Sequence, residues 1–350
     1  MISNREKKEK AVQYWLWTGA GLIFLMLIIG GITRLTGSGL SMTNWKLIMG
    51  AVPPMDHASW MHTFNQYKQF PEYQQLNVGM TLSEFKSIFF WEYMHRLLGR
   101  MIGLVFFIPF VWFWWKGYFD RFLKRRMSIL LGLGILQGGI GWIMVKSGLV
   151  DQPHVSHYRL AIHLSMAFIL LGCCVWFALD LNKQTEIQPT DTKRRLKHWL
   201  WGTAIIFFLQ IIWGAFVAGL RAGKIYNTFP KMNSHWIPQN AWILKPLTLN
   251  LLANPGTVQW VHRILGTILT LTVILLWIKI QTSNAESPIR KRGFALLLIV
   301  LAQYTIGIFT VLEHVPVALG VIHQAGAMLF WISWLFLFNP LYNMKVQNAG

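Results

Sequence analysis

WEYMHRLLGR at 91–100 returns as VQWVHRILGT at 258–267, and this echo decides how the chain is read. Each copy places a histidine, His95 or His262, near the start of a long apolar run. Two more histidines stand in matching places further on: His163 in RLAIHLSMA and His323 in GVIHQAGAM. Four residues after each comes a residue with almost no side chain: Gly99, Ala167, Gly266 and Ala327. Positions i and i+4 share a helical face. A histidine beside bare helix suits a flat, bulky disc bound through its metal. Two His–His pairs therefore predict two heme-sized sites.

The rest of the chain supplies the setting. It has 350 residues, 54% of them hydrophobic, and a mean hydropathy of +0.41. Several apolar runs reach the roughly 20 residues needed to cross a bilayer. The pattern predicts eight helices, near 13–33, 93–115, 127–149, 159–181, 198–219, 258–280, 293–313 and 317–338. The fold expected is an all-α membrane protein. The first run is long and lacks a small-residue cleavage site, so it reads as a retained helix, not a signal peptide.

The net charge of +19 could point to nucleic acid, but its distribution points elsewhere. Basic residues gather at Arg5, Lys7, Lys8 and Lys10, then at Lys116, Arg121, Lys124, Arg125 and Arg126. They recur at Lys183, Lys193, Arg194, Arg195 and Lys197, at Lys279, Arg290, Lys291 and Arg292, and at Lys345. All fall on one side of the predicted helices. This is the positive-inside pattern and puts both termini in the cytoplasm. The chain is read as binding membrane lipid and no nucleic acid. The outer segments are also basic, a surplus that an anionic ligand would explain.

The echo extends further. LQGGIGWIMV (136–145) matches AQYTIGIFTV (302–311), and GGITRLTGSG (30–39) loosely matches WGAFVAGLRAG (213–223). Each half then has four helices, and an even number gives both halves the same orientation: two four-helix bundles related as a parallel repeat. The expected division is 1–181, a cytoplasmic linker at 182–197, and 198–350. Long outer loops, about 34–92 and 220–257, follow the first helix of each half and read as functional. The first includes an amphipathic stretch with Trp60, Phe64, Tyr67, Tyr73 and Phe85. The adjacent Cys173 and Cys174 read as packing residues. His57, His62, His154, His157, His198, His235 and His314 read as surface residues.

All four motif histidines fall on even-numbered helices, which would enter from the outer face. A histidine inside a membrane helix is uncommon and usually functional. Zinc is a weaker reading, since zinc draws several ligands tightly together. Arg96 and Arg263 directly follow His95 and His262, Arg100 is one turn from Arg96, and Arg159 one turn before His163. Arginine pairs with carboxylates such as heme propionates through forked hydrogen bonds. One position breaks the repeat. Glu92 stands three residues before His95, but Gln259 stands before His262. A carboxylate can accept a proton and an amide cannot, so one half would perform a reaction and the other relay electrons. A transporter would instead concentrate its polar groups near mid-membrane.

Taken together, GGITRLTGSGLSMTNWK (30–46), EYMHRLLGR (92–100) and the motifs around His163, His262 and His323 make the chain resemble the heme A synthase (CtaA) family of membrane oxidoreductases, over about 14–338. The resemblance implies conversion of heme O to heme A for terminal oxidases, a ring methyl becoming a formyl group in two successive hydroxylations. It implies that His95 and His163 flank the substrate heme, that His262 and His323 ligate a heme b cofactor, and that Glu92 is the essential carboxylate. It also implies an inner-membrane location with the heme sites near the outer face. The partners implied are a heme O synthase (farnesyltransferase), cytochrome oxidase assembly and an unidentified electron acceptor. Some members carry a cysteine pair in the first outer loop; this chain has none there and would belong to the cysteine-free branch. The alternative is a diheme b-type membrane electron carrier. It explains both histidine pairs but not the lone carboxylate or the long outer loops.

Overall fold

The computed structural model describes residues 4–42, 52–148, 154–181, 191–283 and 285–342. Its helices, in order, are α1 (Asn4–Leu35), α2 (His57–Tyr67), α3 (Pro71–Leu76), α4 (Leu82–Trp115), α5 (Arg121–Gly148) and α6 (His157–Asp180). Then come α7 (Asp191–Gly219), α8 (Asn250–Ala253), α9 (Pro255–Thr282), α10 (Ser287–Leu312) and α11 (Val317–Tyr342). Eight of them, all but α2, α3 and α8, are long and apolar enough to cross a membrane. Their apolar length fits an integral membrane protein, since helices satisfy their own backbone in lipid. Among the described residues there is no strand beyond one isolated bridge, Met232 to His235.

All eight expected spans are present, and three differ usefully in extent. α1 reaches back to Asn4, carrying its basic residues on helix. α7 begins at Asp191, so 191–197 of the expected linker is helical, while 182–190 lies outside the described residues. α4 starts at Leu82, about three turns before its expected start. The cause is local. Thr81 caps the helix reciprocally with Glu84: Glu84 N donates to Thr81 Oγ1 at 3.3 Å, and Thr81 N to Glu84 Oε2 at 2.8 Å. The added turns carry Phe85 and Phe89 into an aromatic cluster with Trp60, Phe64 and Tyr67. Ring centroids lie 4.9 Å apart for Phe64–Phe85 and 5.1 Å for Tyr67–Phe85. The amphipathic stretch of the first long loop thus folds as a cap on the N-terminal end of α4.

The spans form two rings. α1 packs on α4 and α6, and α5 on α6 and α4; α7 packs on α9 and α11, and α10 on both of those. The α4–α5 seam is much looser than its counterpart, α9–α10. The rings meet where α6 touches α7 and α11, and α1 touches α11. Across that seam Trp331 Nε1 donates to Phe168 O (3.1 Å) and Gln324 Nε2 to Leu27 O (2.7 Å), while Trp334 Nε1 donates to Leu200 O (3.2 Å) within the C-terminal ring. At the other end of that seam Asp180 accepts from Asn339 (2.7 Å) and pairs with Arg126 (2.7 Å). Cys173 and Cys174 are free thiols in this core, as expected of packing residues.

Candidate functional site

The four motif histidines are brought together in the pairs the sequence suggests. His262 on α9 and His323 on α11 face each other with ring centroids 6.5 Å apart and planes at 79°. Two imidazoles on opposite sides of one metal, with bonds of about 2.0–2.1 Å, place their ring centres roughly 6–6.5 Å apart. The C-terminal pair therefore has the spacing of a bis-imidazole iron site. His95 on α4 and His163 on α6 lie close enough to interact electrostatically. His163, His262 and His323 each keep a buried Nδ1 without a protein partner. Such atoms are costly when left unpaired, and a bound metal would take one nitrogen of each ring. Among the described residues, no three His, Cys, Asp or Glu side chains gather as a small-ion site would need.

The small residue four places on does a different job from the one expected. A Cβ at Gly99 would lie 3.3 Å from Met26 Cε, and one at Gly266 would lie 3.1 Å from Gln210 Nε2. Ala167 and Ala327 are buried in the main core. These positions admit a neighbouring helix, because two helices approach closely only where side chains are small. The glycines that lie against the rings are on the partner helices. A Cβ would meet His95 Nε2 at 3.2 Å from Gly30, and His163 Cε1 at 3.0 Å from Gly141. It would meet His262 Cε1 at 3.1 Å from Gly214, and His323 Cε1 at 2.8 Å from Gly307.

One turn before three of these glycines stands a glutamine that the sequence reading passed over. Gln137 Nε2 donates to His163 O at 3.2 Å, and Gln303 Nε2 to His323 O at 2.7 Å. Gln210 Nε2 lies 3.4 Å from His262 Nε2. In the place corresponding to Gln210, α1 has Met26 before Gly30. The signal was available: Gln-x-x-x-Gly occurs at 137/141, 210/214 and 303/307. These groups brace the ligand helices from behind, as outer-shell partners do.

Glu92 is buried at 3% exposure, so how it is compensated decides its chemistry. Arg96 Nη2 donates to Oε1 at 2.5 Å, and Ser41 Oγ and Met42 N both donate to Oε2 at 2.7 Å. Ser41 and Met42 arrive there because Gly37, at φ 68, turns the chain out of α1, with Ser38 N bonding back to Thr33 O (2.8 Å). Arg96 also donates to Met42 O at 2.9 Å. In the other half Gln259 Nε2 donates to Tyr226 O at 3.0 Å, and Arg263 donates to Tyr226 O at 2.7 Å and Thr228 O at 2.8 Å. Arg96 and Arg263, beside His95 and His262, thus each fasten the long loop of their own half. Arg263 keeps a buried Nε without a partner. Arg100 has a buried Nη1, and Arg159 is half-buried on α6.

Of the histidines expected at the surface, six are exposed and one is not. His157 is half-buried; its Nε2 lies 3.0 Å from Leu252 O, and its backbone closes against Gly219, too tightly for a Cβ there. It joins the two halves where α7 ends and α6 begins. Residues 43–46 of the motif at 30–46 lie outside the described residues.

The family model described as "Cytochrome oxidase assembly protein", COX15-CtaA, matches residues 13–335. A protein of Nitrosospira multiformis named "Heme A synthase" is 43% identical over 334 residues, 95% of this chain and 94% of its own length. Similar proteins of that name from Rhodospirillum centenum and Flavobacterium psychrophilum are 46% and 45% identical. These cover 91% and 92% of this chain, and 85% and 96% of their own lengths.

Proposed function

The chain belongs to the COX15-CtaA family of cytochrome oxidase assembly proteins, and from that membership we infer that it is a membrane oxidoreductase converting heme O to heme A. The reaction turns a ring methyl of heme O into a formyl group by two successive hydroxylations. The substrate site is the N-terminal ring. The observation that carries this assignment is the lone carboxylate: Glu92 stands three residues from His95, and the matching position of the other ring holds an amide. The loose α4–α5 seam supports it, since a substrate must enter and leave while a resident cofactor need not.

His95 and His163 hold and orient the substrate. Glu92 accepts protons released there; its three donors hold it in place and aim it. His262 and His323 hold a b-type heme, which when bound supplies one-electron transfer away from the substrate site. Their 6.5 Å ring separation and unpaired nitrogens fit that group. Arg100 and Arg159 would hold propionates in the substrate ring and the Nε of Arg263 would do so in the cofactor ring, while Arg96 contributes beside Glu92. We assign both termini to the cytoplasm, both heme sites to the outer part of the inner membrane, and the two rings to a parallel repeat. A heme O synthase is the partner that would deliver substrate.

The test is heme extraction and chromatography after co-expression with a heme O-forming farnesyltransferase. Heme A should appear beside heme b. A protein that yields two b hemes and no heme O or heme A would be an electron carrier instead.

A further inference from the structure

Three of the four motif histidines are backed by a glutamine from a neighbouring helix, and the fourth is not. Gln137 Nε2 on α5 lies 3.5 Å from His163 Nε2 and donates to His163 O at 3.2 Å, and Gln303 Nε2 on α10 donates to His323 O at 2.7 Å. Gln210 Nε2 on α7 lies 3.4 Å from His262 Nε2. The place that would serve His95 is on α1, where Met26 stands four residues before Gly30, as Gln210 stands before Gly214. The surroundings correspond. A Cβ at Gly99 would lie 3.3 Å from Met26 Cε, and one at Gly266 would lie 3.1 Å from Gln210 Nε2. A Cβ at Gly30 would lie 3.2 Å from His95 Nε2, and one at Gly214 would lie 3.1 Å from His262 Cε1. The two places match in space and differ in chemistry, because a thioether has no hydrogen to donate and accepts only weakly. Among the described residues, no hydrogen bond reaches the His95 ring.

The backbone that carries this ring is held. Thr33 Oγ1 donates to Trp91 O, one turn before His95, at 3.3 Å, and Trp15 Nε1 donates to Val105 O at 2.9 Å. The freedom therefore belongs to the imidazole and not to α4. His95 also stands on the open side of its ring of helices. α4 meets α5 along the loose seam, whereas α6, which carries His163, is packed into the central core.

We propose that His95 is the exchangeable ligand of the N-terminal ring, and that Met26 makes it so by withholding the hydrogen bond that steadies the other three histidines. The proposal rests on the heme O reading and gives it a release step. A substrate that arrives and a product that leaves need one iron–nitrogen bond that breaks readily, whereas a resident cofactor needs both to last. In release, the bond between the iron of the departing heme and His95 breaks and the electron pair stays on the imidazole nitrogen. The bond to His163 breaks last, and arrival runs in reverse; no proton is transferred and no iron changes oxidation state. Outer partners of a ligating histidine fix its ring and raise its basicity, and losing one costs about 10–100-fold in affinity. Met26 is thus a positioning residue: it acts through His95 and not on the reacting carbon.

The experiment follows heme loss from the purified, heme-loaded chain in detergent to an excess of heme-scavenging apoglobin, together with carbon monoxide binding to the reduced protein. In the unaltered chain the N-terminal pair should lose its heme about tenfold faster or more than the C-terminal pair, and should bind carbon monoxide. Met26→Gln, a change of nearly equal size, should slow that loss about 10–100-fold, suppress carbon monoxide binding and leave newly made heme A held on the protein. Met26→Leu, which also lacks a donor, should behave as the unaltered chain does. Gln210→Met should speed loss from the C-terminal pair. His95→Ala should speed loss from the N-terminal pair less than His163→Ala does. Unchanged loss and carbon monoxide binding in Met26→Gln overturn the proposal. So does a Met26→Leu chain that shifts as far as Met26→Gln, since packing would then be the cause, and so does a larger effect of His95→Ala than of His163→Ala. Should Met26→Gln fail to accumulate, Gln210→Met and the two alanine variants decide. Extraction of two b hemes with no heme O or heme A would instead overturn the heme O reading; the loss rates are read on whichever heme the N-terminal pair holds, so the two failures are told apart.

Discussion

Glu92 and Gln259 occupy corresponding places and hold the outer loop of their half in opposite senses. Glu92 accepts from the Met42 N–H, whereas Gln259 donates to the Tyr226 carbonyl. The loop backbone is turned to suit each, so a swap is not neutral. Glu92→Gln would set an amide N–H against Arg96 or the Met42 N–H and leave a buried donor unpaired, at about 1–3 kcal/mol. It should lower heme A formation by ~10²-fold or more while leaving the low-spin spectrum of the C-terminal pair intact. Unchanged heme A yield would show that Glu92 only fastens the loop. The reverse change, Gln259→Glu, sets a carboxylate against the Tyr226 carbonyl. It should weaken that loop and create no second site of conversion; the doubly altered chain, with Glu92→Gln as well, should remain inactive in the same extraction assay.

The helices show why some of this was legible and some was not. Length and apolarity located all eight spans, because a bilayer imposes both. Histidine and glutamate in such spans advertise themselves by their cost. The extra turns of α4 did not, because Phe85 and Phe89 are apolar only on one face and find their partners in α2, far along the chain. The glycine pattern was visible, but its meaning depends on which helix lies opposite. Gly99 and Gly266 admit Met26 and Gln210, and the rings rest on Gly30, Gly141, Gly214 and Gly307. Likewise the sequence shows that Arg96 follows His95, not that it reaches back to Met42. The ring cradle makes a prediction at this scale. Gly307→Ala would put a Cβ 2.8 Å from His323 Cε1, and the imidazole must move. The strain should be about 1–3 kcal/mol, and the low-spin signal of the C-terminal pair should fall or shift while the N-terminal pair still binds. An unaltered C-terminal spectrum would mean that the ring sits elsewhere when loaded.

Across the whole molecule, α11 reaches over the seam between the rings with polar groups: Gln324 bonds into α1, Trp331 into α6 and Asn339 to the end of α6. The electron transfer proposed between the halves needs a fixed separation, and apolar contact alone drives little association in lipid. Polar groups reaching across the seam therefore set its register, each contributing about 0.6 kcal/mol on average, in the range measured for such bonds. The tightest point is Gly172, where a Cβ would lie 2.6 Å from Trp331 Nε1, the atom that donates to Phe168 O. Gly172→Ala should push the indole away, losing that bond and adding strain of about 1–3 kcal/mol. Trp331→Phe removes the same bond but shortens the ring that would collide. The pair should therefore be non-additive: the double variant should be more stable than the sum of the single losses predicts. The measurement is thermal unfolding in detergent, followed by the heme signals of both halves. If the seam makes the halves one cooperative unit, both signals should be lost at one temperature, lowered in Gly172→Ala and partly recovered in the double variant. Two separate transitions, with only one moved by Gly172→Ala, would show that the rings unfold independently and that their register is set by something other than α11.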